Sequence, residues 1–284
     1  MQAALENRLK SVFLSTFITF NVLALAIGAF AIYNGGVRGI WLSVSVAALH
    51  VVLYFGRLYL AQVPRTSVNL VGFTVGIFMA TMYSIYTSYR LEVASIAPLL
   101  ALVCMAGWMA YVGWYSDLGS NSNSGIRIGK RLPHINLEDY DGNPVSSEQW
   151  TGQKRLVLFY RGNWCPICTA QVNELAQFQD RFDALGVRFT FVSPQAHAKS
   201  RRFAQRTGMN ADFLVDKDNA AAMRLGILHE NGLPAGLQVL GYDTDVPKPC
   251  LFVLDEGGKV IFADLTENYR LRPQPEDILK ALKA

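Results

Sequence analysis

Four long stretches almost free of charge occupy the first part of this chain and limit what it can fold into. The first runs from Ser11 to Tyr33, 23 residues without a charged side chain. At about 1.5 Å of rise per residue, a helix of that length crosses the hydrocarbon core of a bilayer. A second covers Gly39–Ala61, with Arg57 near its end, where a long side chain reaches the interface. The third is Val68–Tyr89 and the fourth Val93–Tyr115, in which Pro98 is expected to introduce a kink. Buried core helices of a soluble protein would come with amphipathic neighbours, and this part of the chain has none. The pattern predicts four transmembrane helices, with membrane lipid as a partner. Ala29-Phe30-Ala31 resembles a signal-peptide cleavage site, but the apolar stretch before it is long for that role.

Composition divides the chain at the same place. Residues 1–115 carry six Lys/Arg and two Asp/Glu, whereas residues 116–284 carry twenty of each. The formal charge of +4 therefore belongs to the apolar part. A balanced second part has no electrostatic footprint for nucleic acid, which is excluded as a partner. Short-loop Lys/Arg sets the expected orientation. Arg8, Lys10, Arg57, Arg65, Arg127, Lys130 and Arg131 lie on one side, and Arg38 and Arg90 on the other. That bias predicts a multi-pass protein of the inner (cytoplasmic) membrane with both termini in the cytoplasm. Asn21, His50 and Asn69 read as side chains bonded to helix neighbours or placed at an interface. Tyr83, Tyr86 and Tyr89 read as packing or an interfacial belt. The expected domains are a four-helix transmembrane region (1–115), a Ser/Asn/Gly linker (116–129) and an α/β domain (130–284).

Beyond the linker the chain alternates strand and helix signals. Asp141-Gly142 marks a turn between two short extended stretches. Ser146 and Gln149 resemble a capping box opening a short helix through Trp150. Arg155–Tyr160 is continuously apolar at its centre, as a strand covered on both faces should be. A helical run, Thr169–Leu185, ends at Gly186, and Val187–Val192 reads as the next strand, parallel to the first. A helix over 196–207, a strand over 213–215 and a short helix over 220–225 follow. Residues 229–246 read as an insertion or a long loop. Cys250–Leu254 and Lys259–Ala263 form an antiparallel hairpin, and Pro275 opens the last helix.

Between the first strand and its helix lies Trp164-Cys165-Pro166-Ile167-Cys168. The first cysteine falls at the helix start, where free N–H groups and the helix dipole favour a thiolate. Cys168 follows one turn later, close enough for a small disulfide. Four cysteines in a chain this long are no disulfide framework, and neither His nor further Cys is spaced for a metal site. Cys165 is expected to attack and Cys168 to resolve. Arg161 would add positive charge, and Trp164 would shield the sulfur or contact substrate. Cys250 reads as a buried strand residue.

Phe159-Tyr160-Arg161-Gly162-Asn163-Trp164-Cys165-Pro166-Ile167-Cys168 closely resembles the active-site segment of peroxiredoxin-like proteins in the alkyl hydroperoxide reductase/thiol-specific antioxidant family. Leu132-Pro133 through Asp139-Tyr140-Asp141-Gly142 is similar to that family's N-terminal hairpin. Glu267-Asn268-Tyr269-Arg270-Leu271-Arg272-Pro273 matches its run before the last helix. The resemblance covers about residues 129–284. It implies a thioredoxin-like fold and a thiol-dependent oxidoreductase without cofactor, taking a disulfide or peroxide substrate and a thiol donor of thioredoxin or glutathione type. It also implies a cis-proline beside the dithiol, which Lys248-Pro249 matches, with Pro247 as the competing position. Peroxide-reducing sites of that type carry proline seven residues before the reactive cysteine and Thr or Ser three before it. Counted from Cys165, this chain has Leu158 and Gly162 there. Outside enzymology, the dithiol would serve as a redox-sensing or assembly module that switches a membrane partner without turnover. A transporter or quinone-linked role for the helices lacks the paired intramembrane charges or cysteines it would need.

Overall fold

The computed structural model describes residues 2–283. The chain divides into two compact units. One comprises Val12–Ala61 and Thr66–Ser116, and the other Met1–Ser11, Gln62–Arg65 and Asp117–Ala284.

The helical unit is built from α1 (Gln2–Tyr33, whose first residues belong to the other unit), α2 (Arg38–Leu60), α3 (Val71–Arg90) and α4 (Ala97–Ala110). A π-helical turn, Tyr111–Tyr115, prolongs α4. The four expected helices form, but among the described residues only three are both long and apolar enough to cross a membrane: Ala4–Tyr33, Arg38–Leu60 and Ala97–Tyr115. The expected count of four is corrected to three. Thr, Ser and Tyr side chains along α3 lower its hydropathy below that of its neighbours. Pro98 does not kink a helix either. It sits in the first turn of α4, where a missing N–H costs nothing.

The buried face of α2 repeats at helical spacing through Val44, Ala47, Ala48, Val51, Tyr54, Phe55 and Leu58. The Tyr54 and Tyr111 hydroxyls are 3.0 Å apart, and the Trp108 indole packs edge-on to Tyr54. His50 bonds the Val46 carbonyl at 2.8 Å, and the Asn21 amide donates to Phe17 O at 2.8 Å. Both polar side chains thus bond their own helix, while Asn69 is exposed. Gly76 lies so close to the His50 ring that a Cβ there would stand 2.3 Å from it.

In the other unit β1 (Asn136–Asp139), β2 (Pro144–Ser146), β3 (Lys154–Phe159), α5 (Pro166–Gln177), α6 (Gln179–Asp183) and β4 (Val187–Ser193) come first. They are followed by α7 (His197–Thr207), β5 (Ala211–Val215), α8 (Ala220–Arg224), β6 (Leu228–His229) and β7 (Val246–Pro247). Last are β8 (Cys250–Leu254), β9 (Val260–Asp264) and α9 (Pro275–Ala281). Seven strands form one sheet in the order β2-β1-β5-β4-β3-β8-β9, and β6 and β7 pair separately. The β3–β4 and β4–β5 pairs are parallel, while β8 lies antiparallel to β3 with Cys250 opposite Phe159. β3 lies inside the sheet between β4 and β8, and Arg155–Phe159 are all buried, which accounts for its continuous apolar run. Val157, Phe159, Val192, Leu214 and Phe252 anchor one core with Trp150 and Ile227.

Three details differ from the sequence reading. The dithiol helix breaks at Phe178 (φ −105°, ψ 2°), so the run becomes α5 and α6. Ser146 caps a 3₁₀ turn, Ser147–Trp150, by accepting from the Glu148 N–H rather than from Gln149. Residues 117–129 are no free spacer. Leu118 and Ile126 are buried, and Gly125 and Gly129 donate to Leu225 O and Val260 O.

One polar cluster is built into the sheet. Arg155 Nη1 donates to Asp212 Oδ2 (2.5 Å) and to Thr190 Oγ1 (2.6 Å). Arg188 holds the same carboxylate with two bonds of 2.8 and 2.6 Å. These guanidinium charges hold Asp212 below the usual carboxylate range against the opposing effect of burial. Asp212→Asn leaves Arg155 and Arg188 facing each other without a shared counter-charge. It should destabilise the domain by about 3 kcal/mol, read by denaturant unfolding of the detergent-solubilised protein.

Candidate active site

The dithiol sits where the chain leaves the sheet. Tyr160 still donates to Val192 O (2.9 Å), and the backbone then turns through Arg161–Trp164. Gly162 has φ +138°, and a Cβ there would stand 2.8 Å from the Trp164 indole, so a side chain is excluded on both counts. Cys165 occupies the N-cap in extended conformation, Pro166 starts the helix, and Thr169 N–H closes the first turn onto Cys165 O at 3.0 Å.

Both thiols are reduced and buried, Cys165 2% and Cys168 1% exposed. Their ionisation is inverted relative to the expectation from position. Burial drives Cys165 well above the ordinary thiol value, and its S–H, donated to Cys168, raises it further. Burial opposes the thiolate at Cys168 as well. There, however, the Cys165 hydrogen bond, the Arg272 charge, the Arg161 backbone N–H and the Arg161 charge together bring it down to about 6. The hydrogen bond between the two sulfurs and the nearby arginines thus favour ionisation of Cys168 over Cys165.

Arg161 is buried, and its guanidinium donates to Gly232 O. It lies 5.0 Å above the Trp164 ring and 5.8 Å from the Tyr269 ring. The turn is held from below by Gln195, which accepts from Asn163 N–H (2.8 Å) and donates to Tyr160 OH (3.0 Å) and Ser200 Oγ (3.2 Å). Arg272 is 7% exposed, and its Nη1 donates to Leu271 O, while Nε and Nη2 have no hydrogen-bond partner. Its charge also acts on Cys250, whose thiol burial pushes up to about 12. His229 is buried and neutral, carried down to about 3 by burial and by the charges of Arg161, Lys248 and Lys10.

Of the residues singled out from sequence, Cys165, Cys168, Arg161 and Trp164 come together. Lys248 turns its ammonium to the carbonyls of Ser120 (3.3 Å) and Gly119 (3.5 Å). Pro249 is buried ahead of β8 at the same end of the sheet as the dithiol. No cis peptide bond occurs among the described residues, so the expected cis-proline at Pro249 is corrected to a trans bond, and Pro247 is trans as well. Sequence reasoning passed over Arg272, Gln195, Tyr160 and His229. Arg272 lay within a quoted motif, but nothing in its spacing tied it to Cys168.

A seven-stranded sheet with a reduced two-cysteine turn at the head of the helix after its central strand defines a thioredoxin-fold dithiol domain. Residues 128–263 match the sequence profile of the AhpC/TSA family. Peroxiredoxin Bcp of Escherichia coli (strain K12) is 29% identical over 147 residues, which cover 51% of this chain and 90% of that protein. Among solved structures, peroxidoxin BcpB from Mycobacterium tuberculosis is similar at a TM-score of 0.46 and 21% identity, covering 56% of this chain and 97% of that one. Reduced Prx3 from Vibrio vulnificus, in complex with H2O2, is similar at a TM-score of 0.48 and 19% identity, covering 55% and 99%. In sequence profile and in these relatives the C-terminal domain is similar to peroxiredoxin-like thiol oxidoreductases.

The charge placement has a direct readout. Iodoacetamide alkylation of the reduced protein should rise through a midpoint near pH 6, because the Cys168 thiolate accumulates above its lowered pKa. Arg272→Gln should raise that midpoint by about one unit. Cys168→Ser should abolish the low-pH step and leave only alkylation at alkaline pH.

Proposed function

We propose that this chain is a membrane-embedded thiol peroxidase in which Cys168 attacks and Cys165 resolves. The observation that carries the reading is the buried Cys165–Cys168 pair with Arg161 and Arg272 beside it, charges that lower the Cys168 thiol. The proposed roles reverse the sequence expectation. Counted from Cys168, the peroxiredoxin-type positions seven and three residues earlier hold Arg161 and Cys165. A thiol donor thus stands where that pattern has a hydroxyl, and the objection drawn from Leu158 and Gly162 falls away.

The Cys168 thiolate attacks the outer peroxide oxygen, so an S–O bond forms, the O–O bond breaks and the alkoxide leaves as alcohol with a proton from solvent. The Cys168 sulfenic acid is then attacked by the Cys165 sulfur. The Cys165–Cys168 disulfide forms, and the hydroxyl leaves as water with the Cys165 proton. An external dithiol of thioredoxin or glutathione type restores both thiols by exchange through a mixed disulfide. The burial of both sulfurs favours a small peroxide over a protein disulfide. Trp164 packs on the Arg161 guanidinium at the turn, and Lys248 and Pro249 support the site from the segment that leads into β8.

The helical unit anchors the domain in the membrane. Lys10 Nζ donates to Asp117 O at 2.7 Å, so residues on either side of the helical unit belong to one compact unit. The Lys/Arg bias makes the shared side the cytoplasmic one. A redox-sensing role without turnover remains the alternative.

Peroxide consumption driven by thioredoxin should exceed dithiothreitol-driven insulin reduction. Cys168→Ser should lower it by about a thousandfold or more, as loss of a nucleophile does. Cys165→Ser should complete one turnover and stop at a sulfenic acid that dimedone traps. Absence of peroxide turnover in the wild-type protein, with partner capture changing on oxidation, would establish the sensing role instead. A membrane-impermeant maleimide should label a cysteine placed at exposed Lys217 only after the cells are permeabilised; labelling of intact cells reverses the orientation.

A further inference from the structure

The loop between β6 and β7 carries a feature that the dithiol chemistry does not use. Residues 237–240 form a 3₁₀ turn between Gly236 (φ +98°) and Gly241 (φ +73°), which lifts the turn out of the domain. At its tip Val239 is 86% and Leu240 58% exposed. Large apolar side chains displayed at the apex of a well-bonded loop mark a contact surface.

The base of this loop is tied to one place. Ala235 N–H donates to Ser11 O (2.9 Å), and Ser11 Oγ donates to Leu233 O (2.5 Å). Ser11 is the first residue of the uncharged run Ser11–Tyr33 and the last of its segment in the α/β unit. The loop is therefore bonded at the point where the chain would enter the bilayer.

The flank of the loop is basic. Lys199, Arg202 and Arg206 stand three and four residues apart on α7, which carries no acidic residue. Among the described residues none of the three has a carboxylate partner, whereas Arg201 pairs with Asp141. Lys199 Nζ lies 3.8 Å from the centre of the Tyr242 ring and donates to Leu240 O, so the basic face and the loop are joined. Asp243 follows the loop in sequence and leaves the patch net positive.

We infer that Leu237–Tyr242 and the basic face of α7 form a docking surface for anionic phospholipid, with Val239 and Leu240 entering the interface and Lys199, Arg202 and Arg206 meeting headgroup phosphates. The composition is that of an interfacial element: an apolar tip, an aromatic ring and cations with long stems. The surface also reaches the dithiol. Tyr242 OH donates to Asn163 Oδ1 at 2.5 Å, and Asn163 is the residue before Trp164-Cys165. Docking would steady the turn that carries the nucleophile pair. The inference rests on the membrane-embedded reading.

The test uses the full chain in nanodiscs of phosphatidylcholine alone or mixed with phosphatidylglycerol, with backbone hydrogen exchange over residues 236–242 read by mass spectrometry. Exchange should be about tenfold slower in the anionic discs, the signature of a suppressed local opening. The difference should vanish in the Val239→Ser, Leu240→Ser double variant and shrink in Lys199→Gln, Arg206→Gln, with exchange over β3 and β4 unchanged. Equal exchange in both lipids, or protection that survives the double variant, overturns the inference. Protection that needs added cell extract makes the occupant a protein and overturns it too. Alkaline carbonate extraction separates the two layers of the argument. A chain that washes off the membrane refutes the embedding; a chain that stays while its loop exchanges freely refutes only the docking.

Discussion

A thiolate buried beside a helix start survives only if donors and positive charge replace the water it has lost. Here those substitutes come from three separate parts of the chain. The Cys165 S–H arrives from the preceding turn, the Arg161 N–H and guanidinium from the exit of β3, and the Arg272 charge from the segment before α9. The rest of the α/β unit can be read as what keeps them aligned. β3 is paired along both edges, with β4 and β8, Gly162 lets the chain turn sharply, and Gln195 ties the turn to Tyr160 and α7. Loss of any one donor moves Cys168 back toward the ordinary thiol value.

Strand and helix positions in this unit were largely readable because each has a strong local cause. The apolar centre of β3, the turn residues between β8 and β9 and the first-turn Pro of α9 all act over a few neighbours. The dithiol was readable for the same reason. Which sulfur holds the charge was not. Position alone favours the N-cap cysteine, but burial acts on both sulfurs, and it is the Cys165 hydrogen bond and the charge of Arg272, remote in sequence, that lower Cys168. Gln195 and His229 were missed for the same reason: their roles exist only once α7 and the β6–β7 loop have packed.

The helical half shows the opposite limit. Length and apolarity found all four helices but overstated one of them. In α3 the hydroxyls of Thr74 and Thr81 are absorbed by helix carbonyls and, for Thr74, by the Trp108 indole. A polar side chain bonded within a bundle costs little there and still lowers the hydropathy of its segment. The segment 117–129 misled in the reverse direction. Its Ser/Asn/Gly content suggested a spacer, yet two apolar side chains and a set of backbone donors suffice to pin it to the domain.

Cys250 adds a last consequence. It is a third sulfur in the domain, under the influence of the same Arg272, and its thiol is held protonated to about pH 12. On the proposed mechanism Cys165, hydrogen-bonded to Cys168 one turn away, resolves the sulfenic acid ahead of Cys250, and the oxidised domain has one product rather than a set of exchanging isomers. Any reducing partner would then meet the same Cys165–Cys168 bond wherever it approached.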